Sequence, residues 1–515
     1  MRQVDRVVTV FVAVILAIPG LAFGAPPPNV VASDGNGNTA MGSNALSSLT
    51  NADSNTAAGF GALGLNTTGS TNTATGSGSL GSNTTGSKNT ASGSAALGQN
   101  TTGSRNTATG AGALNFNTTG SSNTAFGYWA LVSNTASGNS AFGDLALGGN
   151  TTGQSNTAAG FGALSSNTTG SNNTAAGSVA LAGNTTGHEN TAVGASALVG
   201  NTVGDDNSAF GFNALANNTI GIDNTAAGWT ALLFNTTGVW NTAVGSRALQ
   251  NNTIAKDNTG VGFAVLDSNT EGEANTATGS RAMFFNTTGN LNTAVGYSAL
   301  YNNSVGTRNV ALGYQAGYGI TGSDNITIGA NNLGRGAENG VIRIGMKGNQ
   351  KRTFIAGIKG VTTGLSAASP VLVDANGQLG TIKSSARFKQ DIRPMGAASE
   401  RLYALRPVTY RYRQPDADGS KPVQFGLVAE EVAQAFPELV MYDDDGKPET
   451  VSYHLLPTLL LNELQKQHRL VESQAARISQ LEKQSEELAL LKQEVARMAA
   501  LIERLDPQRS MAANR

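Results

Sequence analysis

The chain has 515 residues, of which 65 are glycine, 6% aromatic and 13% charged. That leaves too few large apolar side chains for a series of conventional globular cores, and points instead to a repeat that stacks or shares its core with other chains. A formal net charge of −1 supplies no field to draw nucleic acid or an anionic membrane surface. The absence of cysteine excludes disulfide staples and thiolate zinc sites. With only His188, His454 and His468 as imidazoles, no metal and no cofactor is expected.

The chain opens with Arg2 and Arg6, an apolar run from Val7 to Phe23, and the small-x-small pattern Ala22-Phe23-Gly24 before Ala25. Residues 1–24 resemble a bacterial secretory signal peptide cleaved between Gly24 and Ala25. A retained anchor is the alternative, but the run is short for a membrane span. The mature chain is therefore expected outside the cytoplasm, secreted or at a cell surface, with no membrane span. Residues 25–37 read as a linker.

From Asn38 to Asn325 the pattern Asn-Thr-Ala-x-Gly starts eighteen times, at fifteen intervals of 17 residues and two of 16. A disordered tract has no reason to keep such a beat, so the period is structural. The unit reads N-T-A-x-G-x-x-A-L-x-x-N-T-T-G-x-x. Its fifth position is glycine in every unit, from Gly42 to Gly329, which predicts a backbone conformation or close approach that a side chain would block. The ninth position is leucine from Leu46 to Leu300 except for Met283 and marks a buried register. The fourth position, apolar in fourteen units, is expected to be a second anchor. Seventeen residues suffice for one coil with two short strands and two turns. Asn at position twelve, from Asn66 to Asn303, suits a tight turn and would stack Asn on Asn in a hydrogen-bonded ladder.

These units resemble the head repeats of trimeric autotransporter adhesins, which implies parallel β-rolls that associate as trimers. Independently, two small anchors per coil bury little surface in one chain and more when three chains share an axis. Threonine rows such as Thr56, Thr73 and Thr90 fit an ice-binding face, but also suit any exposed strand. Trp129, Trp229 and Trp240 do not recur at one position of the unit, which argues against a row of sugar platforms. The many Asn-x-Thr sequons read as turns beside a bacterial signal peptide.

Residues 333–383 form a β-stalk connector. Val341–Gly345, Thr353–Ile358 and Pro370–Asp374 are strand-like runs, and Asn376-Gly377 marks a turn. The composition then becomes ordinary globular usage. Ser384-Ser385-Ala386-Arg387-Phe388-Lys389-Gln390-Asp391-Ile392, Leu405-Arg406-Pro407-Val408, Phe425-Gly426-Leu427-Val428-Ala429-Glu430-Glu431-Val432, Pro437-Glu438-Leu439-Val440 and Val451-Ser452-Tyr453 follow in order. This series closely resembles the intramolecular chaperone domain of phage tail spikes and endosialidases, an autoprocessing serine peptidase family. The resemblance implies that Ser384 is the nucleophile and Lys389 the general base of a dyad that cuts the Lys383–Ser384 bond after assembly. Ser385 stands where the family often has Asp. A serine hydroxyl needs a base, and lysine serves only if its environment lowers its pKa from about 10.4. A five-residue spacing does not share a helix face, so a folded loop must join the pair. Glu430 and Glu431 are expected on the solvent side of a short helix, and Asp443-Asp444-Asp445-Gly446 as a hairpin turn rather than a calcium loop.

From Leu459 a helix carries Leu460, Leu464, Gln467, Val471, Gln474, Ile478, Leu481, Ser485 and Leu488 at alternating steps of four and three, the heptad pattern of a coiled coil. A three-residue step to Leu491 breaks the phase before Val495, Met498, Ile502 and Leu505 resume it. The expected fold class is mainly β: a repetitive parallel β-roll or β-solenoid over 38–332, the connector over 333–383, a small α+β chaperone domain over 384–458, a coiled-coil helix over 459–505 and a tail over 506–515. The expected function is a secreted, homotrimeric, adhesin-like fibre that cuts itself beside Ser384, with itself as substrate and partner. The alternatives are an uncleaved structural or adhesive fibre, a phage-derived tail fibre, and an ice- or sugar-binding solenoid. A cell-surface or glycan receptor would be a further partner, which the sequence does not identify.

Overall fold

The computed structural model describes residues 31–346, 348–356, 358, 369–374, 377–416, 418–443 and 445–505. The expected signal peptide, residues 25–30 of the linker, the 506–515 tail, Gly357, Asn376 and Asp444 lie outside the described residues. The chain divides into two units, Met1–Phe354 and Ile355–Arg515.

In the first unit, β1 (Val31–Ser33) runs antiparallel to β2 (Thr39–Met41), and from β2 onward each strand pairs in parallel with the next. The ladder reaches β19 (Ile326–Ile328) and continues into β20 (Ile342–Ile344), one strand further than the 17-residue beat. The result is the parallel β-solenoid expected from the repeat. Registers follow the sequence alignment: Thr174 pairs with Thr191, Ala175 with Ala192, Ala176 with Val193.

Each coil has one three-residue strand, and the alternation of side chains decides what is inside. In Thr-Ala-x the central alanine points inward and its neighbours point out. The fourth position is therefore not an anchor. Met41, Phe126, Phe142, Phe210 and Leu312 are all exposed, which corrects the expectation from the apolar composition of that column. The core column instead holds the alanines of positions three and eight with the leucine of position nine, for example Ala175, Ala180 and Leu181, all at 0% exposure. This core is closed within one chain, so the repeat does not need partners to bury its leucines.

The expected second strand is also absent among the described coils. In its place lies a turn ribbon in which residues seven and nine take left-handed backbone: Val179 has φ +53° and Leu181 φ +52°. Every leucine of the ninth column, and Met283, lies between +50° and +54°. An L-residue in this region costs roughly 1–2 kcal/mol, whereas full burial of a leucine contributes roughly 1.5–3 kcal/mol, so burial offsets the backbone cost. The fifth-position glycines behave as expected. Gly177 has φ +144°, and a Cβ there would lie 2.4 Å from the carbonyl oxygen of Gly194 in the next coil.

Asparagine stacks in two buried columns, not one. At position twelve, Asn83 Nδ2 donates to Asn66 Oδ1 (2.6 Å) and to the Gly86 carbonyl (2.9 Å). At position one, Asn72 N–H donates to Asn55 Oδ1 (2.9 Å), while Asn72 Nδ2 donates to the Gly86 carbonyl (2.9 Å). A buried amide is stable only with its donors and acceptors matched, and here each coil supplies the partners of the next. Both ladders meet that one chemical requirement, but the asparagine at position one gives no sign of burial in the sequence beyond its regularity.

In the second unit, β21 (Leu372–Val373) and β22 (Leu379–Gly380) form a hairpin that turns at Asp374 and Gly377. The run Thr353–Ala356 is not a strand. Further on, β23 (Val408–Tyr410) pairs antiparallel with β24 (Gln424–Gly426), and β25 (Val440–Tyr442) with β26 (Pro448–Val451). The β25–β26 connection turns at Asp443 and Gly446, the hairpin expected there. A short helix (Ala429–Ala435) and a long one (Leu456–Leu505, 50 residues) complete the unit. Its core is small: Val432, Phe436, Leu439, Val440, Val451 and Leu459.

Candidate functional site

The segment around Ser384 follows β22 without entering the core. Ser385 is extended (φ −63°, ψ 140°) and precedes a single 3-10 turn, Ala386–Phe388, closed by Phe388 N–H to the Ser385 carbonyl (3.0 Å) and Lys389 N–H to the Ala386 carbonyl (3.0 Å). All residues from Thr381 to Pro394 are exposed. The turn brings the backbone of Lys389 back toward Ala386 and does not include Ser384. Among the described residues, no hydrogen bond joins Ser384 to Lys389.

Phe388 organises the side chains here. The Lys383 ammonium lies 4.7 Å from its ring centroid and the Arg387 guanidinium 4.8 Å. A ring face attracts a cation through its quadrupole, so Phe388 tethers the residue on the amino side of the expected scissile bond. Sequence reasoning named Lys383 and Ser384 but not this ring.

Carboxy-terminal to the turn, the 3-10 segment Gly396–Ala404 docks on the first turns of the long helix through a polar cluster. Ser399 is fully buried and its Oγ donates to Glu463 Oε1 (2.5 Å). Asn462 Nδ2 donates to Ser399 Oγ (2.5 Å) and to the Gly396 carbonyl (3.0 Å). Lys466 Nζ bridges Glu463 (2.8 Å) and Glu400 (3.0 Å). The Lys466 ammonium and the Ser399 hydroxyl hold the Glu463 carboxyl below its ordinary value, and Glu463 in turn raises Lys466. Beside this cluster, Arg401 forms a two-pronged pair with Glu438 (2.9 and 3.0 Å) while its guanidinium lies 4.0 Å from the Phe436 ring centroid. Glu430 is exposed, and Glu431 pairs with Arg406 on the solvent side of the short helix. That pairing draws Glu431 down and raises Arg406.

The long helix uses one face for this docking and leaves the other bare. Leu459 and Glu463 are its buried residues, whereas Leu464, Val471, Ile478, Leu481 and Leu488 of the heptad seam are exposed. A row of apolar side chains over about 36 Å of helix is the form of a surface that meets another helix. No described helix is long and apolar enough to cross a membrane, and no described group of His, Asp or Glu could hold a metal ion.

No curated protein and no solved structure matches the chain. Residues 457–513, which begin one residue into the long helix, match the family model described as Geminin. Residues 384–441, from the expected nucleophile to the middle of β25, match the family model described as chaperone of endosialidase, so this chain carries a chaperone-of-endosialidase segment downstream of its β-solenoid.

Proposed function

We propose that this is a secreted, tail-fibre-like homotrimer whose chaperone segment assembles the chain and then cuts it between Lys383 and Ser384, with Ser384 as nucleophile and Lys389 as general base. The single observation that carries the reading is the uncovered heptad seam of the long helix directly behind the chaperone segment. The solenoid closes its own core, but the described residues just ahead of Ser384 do not. Phe354 is 88% exposed, and Val371, Leu379 and Ile382 are exposed as well. Apolar side chains in that state favour burial against other copies. Holding the chains together through the helix lowers the entropy cost of bringing those segments into register. Assembly would also supply the burial that lysine needs to act as a base. Removal of residues 1–24 belongs to the same proposal.

A second reading, an uncleaved structural or adhesive fibre with a permanent assembly domain, is favoured by the exposure of Ser384 and Lys389. Denaturing intact mass of the chain from Ala25, beside Ser384→Ala and Lys389→Ala variants, separates the two. Release of residues 384–515 from the parent alone supports the dyad. Full-length mass in all three, with sedimentation still reporting trimers, leaves the permanent clamp.

A further inference from the structure

We propose that the outward face of the strand ladder, formed by positions two and four of every coil, is the surface on which copies of this chain pack against one another along the solenoid. This rests on the self-association proposed above and adds an interface that the helix seam does not contain.

When identical chains meet in parallel register about an axis along the ladder, equivalent residues lie at the same height, and those nearest the axis approach their own counterparts. A charged column would then oppose like charge, which destabilises the contact. Positions two and four hold no Asp, Glu, Lys, Arg or His in any of the eighteen coils. Other columns of the same coils do: Lys88, Arg105, Glu189 and Asp206 stand at position seventeen, and Arg247 and Arg281 at position seven. The strand face is therefore one that can meet itself.

Its remaining chemistry fits an interface. Position two is mostly threonine, and position four carries large apolar side chains left 38–48% exposed, including Phe142, Phe210, Val244 and Leu312. Phe126 and Phe142 stack with ring centroids 5.5 Å apart and planes 8° from parallel, which keeps the column flat. Burying such side chains is favourable without any change of conformation. The area is also sufficient. Eighteen strands spaced about 4.8 Å apart and three residues wide at about 3.3 Å per residue give roughly 850 Å² per copy. A standard interface needs about 800 Å² per partner.

The chain's lack of cysteine makes the test direct. In the full chain, Val244→Cys places a thiol on the face, and Ile254→Cys places one at position fourteen, also exposed but on another column. Phe210→Cys repeats the first test in a second coil. With mild oxidant, Val244→Cys and Phe210→Cys should yield covalently linked pairs of chains, while Ile254→Cys stays unlinked. Equal linking of Ile254→Cys overturns the proposal. So does failure of both face variants in a chain that sedimentation shows to be self-associated; the face would then be free for a flat solid such as ice or for a glycan. A chain that sediments as a single copy overturns both this interface and the self-association it rests on.

Discussion

Ser399 and Glu463, 64 positions apart, meet through a hydrogen bond of 2.5 Å from a fully buried hydroxyl to a nearly buried carboxylate. This contact fixes where the chaperone segment ends on the long helix. Replacing Ser399 by Ala leaves the Glu463 carboxylate short of a donor in a place that water scarcely reaches. The expected loss is about 1–3 kcal/mol. Amide hydrogen exchange over Gly396–Ala404 should speed up in Ser399→Ala while exchange in the solenoid strands is unchanged.

The same contact gives a pH dependence with a definite sign. Because the folded carboxyl of Glu463 lies below its ordinary value, its contribution is fully present above the unfolded glutamate value of about 4.3. It is lost as pH falls through the lower folded value. Docking of residues 396–404 should therefore be constant from neutrality to about pH 5 and weaken only in stronger acid. In Glu463→Gln this acid-linked change should be reduced to the part carried by the Arg401–Glu438 pair, whose carboxyl is also held low, as followed by the same exchange measurement.

Phe388 offers a test of the cleavage reading that does not touch the dyad. One exposed cation–ring contact is worth about 0.5–1 kcal/mol. Phe388→Leu should slow release of residues 384–515 by about two- to fivefold, and Phe388→Tyr, which keeps the ring, should restore the parental rate. Time-resolved mass spectrometry of the denatured chain reads both.

In the solenoid, Leu181→Ala should cost about 2–5 kcal/mol, although alanine is already the commonest core residue of the coil. Gly177→Ala should cost more than an ordinary surface change, since its Cβ would fall 2.4 Å from the Gly194 carbonyl oxygen. Chemical denaturation followed by circular dichroism would rank the two.

A charge in the helix seam should separate assembly from local folding. Leu481→Glu alters a residue that is exposed in the single chain, so helix content should be nearly unchanged. Self-association measured by sedimentation should be lost, because a parallel bundle would bring those carboxylates together.

The solenoid was legible because its period was. Gly177 and its equivalents, Leu181 and its column, and the Asn83 ladder all announce themselves by recurrence at a chemically meaningful position. What misled was size. Phe142 and Phe210 look like core beside alanine, yet a three-residue strand has one inward position, and alanine holds it. The left-handed leucines were illegible for a related reason: leucine carries no local signal for positive φ, which stacking imposes on it. At the other end, Ser384 and Lys389 could be named from a motif, but the Ser399–Glu463 contact could not, since neither residue is near the other in sequence and neither type is expected to be buried.

Each coil finds its Asn, Gly and Leu partners within itself or in the coil before or after it. Whole repeats can therefore be gained or lost without creating a contact of a new kind. A change of 17 residues lengthens or shortens the solenoid by one step of about 4.8 Å. The 16-residue coil beginning at Asn123 shows the tolerance for smaller changes: there Asn134 Nδ2 reaches the Ala136 carbonyl (2.8 Å) two residues on, and the ladder proceeds to Asn150. Unequal recombination between near-identical repeats in the gene would thus yield folded proteins of graded length, a reach that evolution can adjust in units without redesigning any surface.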